Sequence, residues 1–412
     1  MGERTKSNPS AVERDARAVT LVAWFLGITA LVLTLAHTMR RPTPPTIESA
    51  RLLDGPPVIR VQLARAGLGP WLIESGHALE VCRDGFGGPQ IGAPRRRVRL
   101  EAAAGGVRVD DVVHPKIAVG AGEEDEISIN GTTYRGRLIV QTAEAGIVLV
   151  LHVPLEAYMA QVLPFEMPLS YPPEALKAQC IAGRSYAVAA SLRKKEAAWH
   201  LRDDETSQMF QGVTAATRRA ERIVLETRHL VVIWNEKPLS AYYSANCGGR
   251  TRSNREAFSE TAVAPLAGVV CDYCAWSDDY EWSRGFPLDQ AAEALELKAK
   301  IRGARLGKSN PSGYETEVFL QTSLGEMAIS GRRLKAALGH HRVKSTWLTS
   351  IRIERGRLVV AGRGFGHGVG LCQNGCRGLA DAGKDARAIL DYYYPGAVVR
   401  ALEWGALPTK KP

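Results

Sequence analysis

Apolar and polar residues alternate as soon as the chain passes residue 57. In VIRVQL, Ile59, Val61 and Leu63 fall on one face of an extended segment, the period-two pattern of a half-buried strand. The stretch EISINGTTYRGRLIV carries Asn130-Gly131 between two alternating runs, a strong signal for a two-residue hairpin. Residues 138–140 and 147–153 continue the alternation, so 55–153 reads as a mostly β portion. At Pro154 the period changes. Leu155, Tyr158, Met159 and Val162 recur at helical spacing, in a short helix that Pro164 is expected to close. After an elbow, LPFEMPLSYPP, a second helix starts at Pro173. Glu174 lies in its first turn, and a run rich in Ala, Leu and Lys carries it to about Ala198. Farther on, strands are expected at 230–234, 239–244, 315–322 and 358–362, and helices at 288–301, 332–338 and 385–393. No internal repeat is visible. The fold class is α+β, a β-rich N-terminal portion followed by a mixed helix-and-strand core.

Hydropathy adds an N-terminal transmembrane helix to this picture. Residues 18–36 (AVTLVAWFLGITALVLTLA) carry no charge, and at about 1.5 Å per residue they cover close to the ~30 Å hydrocarbon core of a bilayer. Arg4, Lys6, Arg14 and Arg17 precede them, which favours a cytoplasmic N-terminus (1–17) and places the rest of the chain outside the cytoplasm. A retained anchor is the favoured reading. Thr34 and Ala36 also suit a cleaved signal segment, which would give a secreted protein. A Pro-rich linker (37–54) leads to one large module (55–404) and a short tail (405–412).

Charge then narrows the surroundings. The 412 residues hold 53 Lys and Arg against 43 Asp and Glu, a net charge of +10, which draws the protein to polyanions. The basic residues, among them Arg95 to Arg97 and Arg193 to Lys195, are scattered without interleaved aromatics. Nucleic acid is therefore not expected as a partner, and an anionic wall or lipid surface is.

Glu166 is the first candidate for chemistry. It stands among Pro164, Phe165, Met167 and Pro168, where partial desolvation raises a carboxyl pKa and lets it hold a proton near neutrality. GRGFGHGVGLCQNG places glycine at 362, 364, 366, 368 and 370, and His367 is its one side chain able to titrate near neutral pH. No GK[ST] follows, and no HExxH or GxSxG is present. Seven cysteines (82, 180, 247, 271, 274, 372 and 376) include a C-x2-C pair, Cys271 and Cys274, and a C-x3-C pair, Cys372 and Cys376. Disulfides, a metal and free buried thiols all remain open. Cys180, early in the long helix, reads as a small core residue.

These motifs have a collective likeness. LEAYMAQVLPFEMPLSYPPEALKAQCIAGRSYAVAA resembles the signature of the SpoIID/LytB family, the stage II sporulation protein D and amidase-enhancer group. NGTTYRGRLIV is similar to the family's hairpin, SQMFQG to its following segment, and YYSANCGGRT to its serine-and-diglycine motif. VKSTW, GRGFGHGVGLCQNG and DYYYPG complete the series, so the resemblance covers roughly residues 57–402.

The resemblance implies a bacterial peptidoglycan lytic transglycosylase whose catalytic glutamate is Glu166. That residue would protonate the oxygen between N-acetylmuramic acid and N-acetylglucosamine, then take the C6 hydroxyl proton as a 1,6-anhydro ring closes, with no second carboxylate to activate water. Lys177, Arg184, Tyr186, Ser244, His367 and Gln373 match positions expected to line the groove. The alternative is a non-catalytic, peptidoglycan-binding enhancer of a cell-wall amidase. No cofactor is required. Some members hold zinc with a histidine and two cysteines before the Q-x-F/Y-x-G motif, but here that segment is WHLRDDETSQMFQG, without the cysteines. Cys247 replaces the usual serine before the diglycine, and Cys376 the usual alanine. Cys247, Cys271, Cys274 and Cys372 would form a different cluster if the fold gathers them, with zinc or disulfides as the outcome.

Overall fold

Alternation becomes a folded-over sheet. The computed structural model describes residues 57–403, apart from 68, 124, 145 and 205. The segments expected at 1–17, 18–36 and 405–412, and the whole of the linker at 37–54, lie outside the described residues. Among the described residues no helix is long and apolar enough to cross a membrane.

Val58–Gln62 pairs antiparallel with Gly146–Pro154, which continues through Arg137–Ala143 and Lys116–Gly120 to the far half of Trp71–Arg83. That 13-residue strand shifts register between Glu74 and Leu79, and its first half pairs instead with Arg95–Ala103 and Glu126–Ile129. Such an irregularity bends a strand and raises its twist. One strand therefore serves both halves of an 11-stranded sheet, and Ile59, Val61, Trp71, Ile73, Val98 and Leu100 meet in its interior. The hairpin signal is realised at Asn130 and Gly131, with φ of 48° and 84°. Positive φ at both central residues is what a type I′ turn demands.

The chain leaves the sheet at Pro154 and enters α1 (Leu155–Glu166). Contrary to expectation, Pro164 does not end this helix. It lies in the last turn, where its missing N–H costs one bond to Ala160, and Met167 N–H still closes onto the Leu163 carbonyl at 3.1 Å. Glu166 therefore projects from the last turn of a helix, not from a loop. Next comes α2 (Pro173–Arg193), with 14 of its 21 residues buried, the signature of a helix packed on all sides. Around it lie α1, α3 (Thr217–Glu226), the strand Leu230–Trp234, α7 (Gln373–Asp381) and α8 (Ala386–Tyr393). It stops at Arg193, not near Ala198, because the following residues turn back to the sheet edge. There Leu201–Arg202 pairs parallel with Val61 and Gln62, and the Lys194 ammonium donates to the His200 carbonyl at 3.0 Å.

Beyond the short α4 (Asn254–Phe258), residues 281–363 build a lobe with its own core, including Trp282, Phe286, Val318, Leu320, Leu334 and Leu358. Two three-stranded sheets form it with α5 (Leu288–Ala294) and α6 (Gly331–Leu338). α5 ends well before the expected residue 301, since Glu296 adopts φ 57° and Ile301–Leu306 joins a strand ladder with Glu317–Thr322. The strand expected at 239–244 shrinks to Tyr243–Ser244, paired in parallel with Leu371–Cys372. This pairing, with Gln373 bonded to the Glu166 carbonyl, draws the glycine-rich loop against the end of α1.

Candidate functional site around Glu166

α1 delivers Glu166 to the edge of the helical layer, where its side chain is half-buried. Met209 N–H donates to Glu166 Oε1 at 2.6 Å. Burial pushes the carboxyl up to about 7, against the Met209 amide and hydrogen bonds with the Tyr243 and Gln373 side chains, all of which favour the ionised form. A carboxyl so placed is close to half protonated at neutral pH and can both give and take a proton.

A relay of buried polar groups orients it. Tyr158 hydroxyl donates to Gln208 Oε1 at 2.9 Å, and Gln208 Nε2 donates to the Tyr243 oxygen at 2.9 Å. With its oxygen occupied as an acceptor, Tyr243 keeps its proton for Glu166. Phe210 stacks between Tyr134 and Tyr158, at 5.6 and 5.3 Å, which locks the SQMFQG segment beneath the acid. On the other side, Tyr186 meets Tyr242 edge-on at 5.6 Å and Tyr242 meets Phe258 at 4.8 Å. Burial raises the Tyr186 hydroxyl, Arg193 opposes this, and the charges of Glu166 and Glu260 add to the rise. Tyr186 thus lies within electrostatic reach of both acids, and Glu260 also accepts from Tyr242 hydroxyl at 3.1 Å.

The other expected groove residues take varied places. Gln373 is buried, and its Nε2 donates to the Glu166 main-chain oxygen at 2.8 Å, fastening the end of α1. Ser244 is buried and accepts from Gly368 N–H at 3.2 Å, so it holds the glycine-rich loop. That loop has to be glycine where it touches the strand. A Cβ on Gly370, at φ 72°, would meet the Tyr242 carbonyl oxygen at 2.0 Å, and one on Gly368 the Tyr314 hydroxyl at 2.3 Å.

His367 does not behave as the titrating group its type suggested. Its Nδ1 accepts from Val369 N–H at 3.0 Å, the ring hydrogen-bonds the Tyr243 main chain, and Phe258 packs on it at 5.3 Å. Burial, with Arg252 and Lys335 nearby, pushes it down to about 3, so the imidazole stays neutral. Arg184 does not line a groove. Its side chain is 0% exposed, and it pairs with Glu156 at 2.8 Å while bonding the Leu230 carbonyl at 3.1 Å. Lys177 is held in ion pairs with Glu174 at 2.9 Å and Glu226 at 3.1 Å.

The cysteines divide in a way their spacing did not show. Cys247, Cys271, Cys274 and Cys372 are all buried, with sulfurs within 4.8 Å of one another. All seven cysteines are free thiols in this structure. Cys376 leaves its C-x3-C partner and turns toward the Ala175 carbonyl, at 3.5 Å. Cys180 is a core residue beside Arg184, as expected.

Tyr158, Gln208, Met209, Tyr243 and Glu260 were not singled out from the sequence. SQMFQG and YYSANCGGRT were the available signals, since they carry Gln208, Met209 and Tyr243, but neither motif states which way its side chains point.

Residues 143–234 match the SpoIID family, described as Stage II sporulation protein. The chain is 30% identical over 298 residues to an uncharacterized protein of Brachyspira hyodysenteriae, covering 71% of this chain and 78% of that one. It is 30% identical over 266 residues to Stage II sporulation protein D of Bacillus subtilis, covering 61% and 75%. With the amidase enhancer of Bacillus subtilis it shares 23% identity over 286 residues, covering 58% of this chain and 39% of that protein. The acid at the end of α1, a glutamine motif beneath it and two relatives at 30% identity, matched over 78% and 75% of their length, agree, and the chain belongs to the SpoIID/LytB family.

Proposed function

We propose that this protein is a cell-wall enzyme, a peptidoglycan lytic transglycosylase tethered to the membrane by residues 18–36. The observation that carries this reading is Glu166, a half-buried carboxyl raised to about 7 and oriented by Met209 and Tyr243. Protonated, it gives its proton to the glycosidic oxygen as the bond from the muramyl C1 breaks. Ionised, it then takes the proton of the muramyl C6 hydroxyl as that oxygen bonds C1. The carboxyl ends as it began, and no water is consumed. The half-exposed aromatics Tyr186, Tyr242 and Phe258 supply apolar faces, with polar tips on the two tyrosines, a surface suited to sugar rings.

The test is digestion of purified glycan strands with mass spectrometry of the products. The wild type is expected to leave 1,6-anhydro ends, and Glu166→Gln to lower the rate by about a hundredfold to ten-thousandfold. Glu260→Gln is expected to keep cleaving; its loss of activity would point to a second carboxylate activating water. Anhydro products undiminished by Glu166→Gln would overturn the assignment.

The similarity to an amidase enhancer favours one second reading, a peptidoglycan-binding partner of a cell-wall amidase. A wild type that cleaves nothing alone yet accelerates such an amidase would establish it.

A further inference from the structure

We propose that Cys247, Cys271, Cys274 and Cys372 hold a structural zinc ion. Four sulfurs from three separate stretches of chain converge in a buried pocket, all within 4.8 Å of one another. Cys247 and Cys274 sulfurs stand 3.7 Å apart. A regular tetrahedron with zinc–sulfur bonds of ~2.3 Å has edges of about 3.8 Å, so this spacing is that of four ligands around one ion. A cluster of several irons needs its thiolates spread wider. The donor set is all sulfur, which selects zinc over calcium or magnesium.

The surroundings support charged sulfurs. Cys247 N–H and Gly375 N–H both donate to Cys372 Sγ at 3.3 Å, and the Tyr393 hydroxyl lies 3.1 Å from Cys271 Sγ. Amide and hydroxyl donors aimed at ligand sulfurs are the usual outer shell of a thiolate site. Gly375 makes room for this arrangement, since a Cβ there would meet Tyr393 hydroxyl at 2.1 Å and Cys271 Sγ at 2.7 Å. Without a cation, four thiolates packed together would repel one another in a low-dielectric pocket. With four protein ligands and no open face, the ion would be structural, not catalytic.

Its place explains what it would stabilise. Cys247 precedes Gly248 and Gly249, Cys271 N–H donates to the Gly249 carbonyl at 2.9 Å, and Cys372 caps α7. The residue after Cys372 is Gln373, which grips the main chain of Glu166. The ion would tie the diglycine turn, the C-x2-C knuckle and the start of α7 into one anchor behind the acid.

The test is elemental analysis of the full-length chain purified without chelators, followed by release of the metal with a mercurial reagent. One zinc per chain, freed as the four thiols react, is expected. Exchange into cobalt(II) should give the intense absorption of tetrahedral thiolate cobalt. Cys271→Ser is expected to abolish zinc retention, Tyr393→Phe to weaken it about tenfold, and Cys376→Ser to leave it intact. Should the cysteine variants fail to fold, the wild-type zinc content and cobalt spectrum still decide. Iron as the bound metal, four free thiols without metal, or a mass two hydrogens lighter per disulfide would each overturn the proposal. Failure here leaves the glycan-cleavage reading standing, because that is read on different products.

Discussion

Glu166 must carry a proton to act as an acid, and its surroundings set the pH at which it does. With the carboxyl raised to about 7, glycan cleavage should fall as the pH rises through about 7, read from a kcat/KM profile. His367 cannot supply that limb, because it is pushed down to about 3 and stays neutral. The same shift has a stability consequence. The carboxyl has its ordinary value of 4.5 when solvated and about 7 in the fold, so the folded state binds the proton more tightly. That stabilisation is fully present below about 4.5 and is lost as the pH rises through about 7. Glu166→Gln, neutral throughout, should therefore gain in Tm over the wild type at about pH 8 relative to about pH 4. An equal difference at both would show that Glu166 is not buried as a neutral group. Desolvation of the acid was legible from its Pro, Phe and Met neighbours. The hydrogen-bonded chain that orients it was not, since Tyr243 and Gln208 lie far from it in sequence.

At the scale of elements, α2 joins legible and hidden features. Its start at Pro173 and its Ala-rich body follow from propensity, yet its end is set by the sheet edge it must reach. Arg184 on this helix matched a family position and was expected in a groove, but it faces inward. A fully buried guanidinium bonded to Glu156 and to the Leu230 and Val224 carbonyls acts as a strut between α1, α3 and the strand Leu230–Trp234. Lysine cannot reproduce that fork. Arg184→Lys should therefore cost on the order of 3 kcal/mol in urea unfolding, because Glu156 and the carbonyls lose their partners. A cost within measurement error would show the pair to be dispensable.

For the whole molecule, a net charge of +10 suits retention at an anionic wall. Such attraction is screened over a Debye length of about 8 Å at 0.15 M ionic strength and about 3 Å at 1 M. The purified protein should sediment with isolated cell walls at low salt and be released at high salt. Walls stripped of their anionic polymers should hold it less. Retention indifferent to salt would assign wall binding to sugar contacts alone. The lobe at 281–363 was not separable in the sequence, since its strands and helices share the alternation and length of the rest. Its separate core around Trp282, Phe286 and Val318 reveals it.

Local sequence patterns were enough for the first strand, the Asn130-Gly131 hairpin, the strands on either side of residue 145, the helices that begin at Leu155 and Pro173, the candidate acid and the family, because periodicity, turn chemistry and motif order are local properties. The tertiary structure alone decided that Glu166 ends a helix above Gln208 and Tyr243, that Arg184 and His367 are satisfied inside, and that four cysteines separated by up to 125 positions share one pocket. Each of these depends on which distant segments meet, and that is set by packing around α2 and the glycine-rich loop, not by neighbours along the chain.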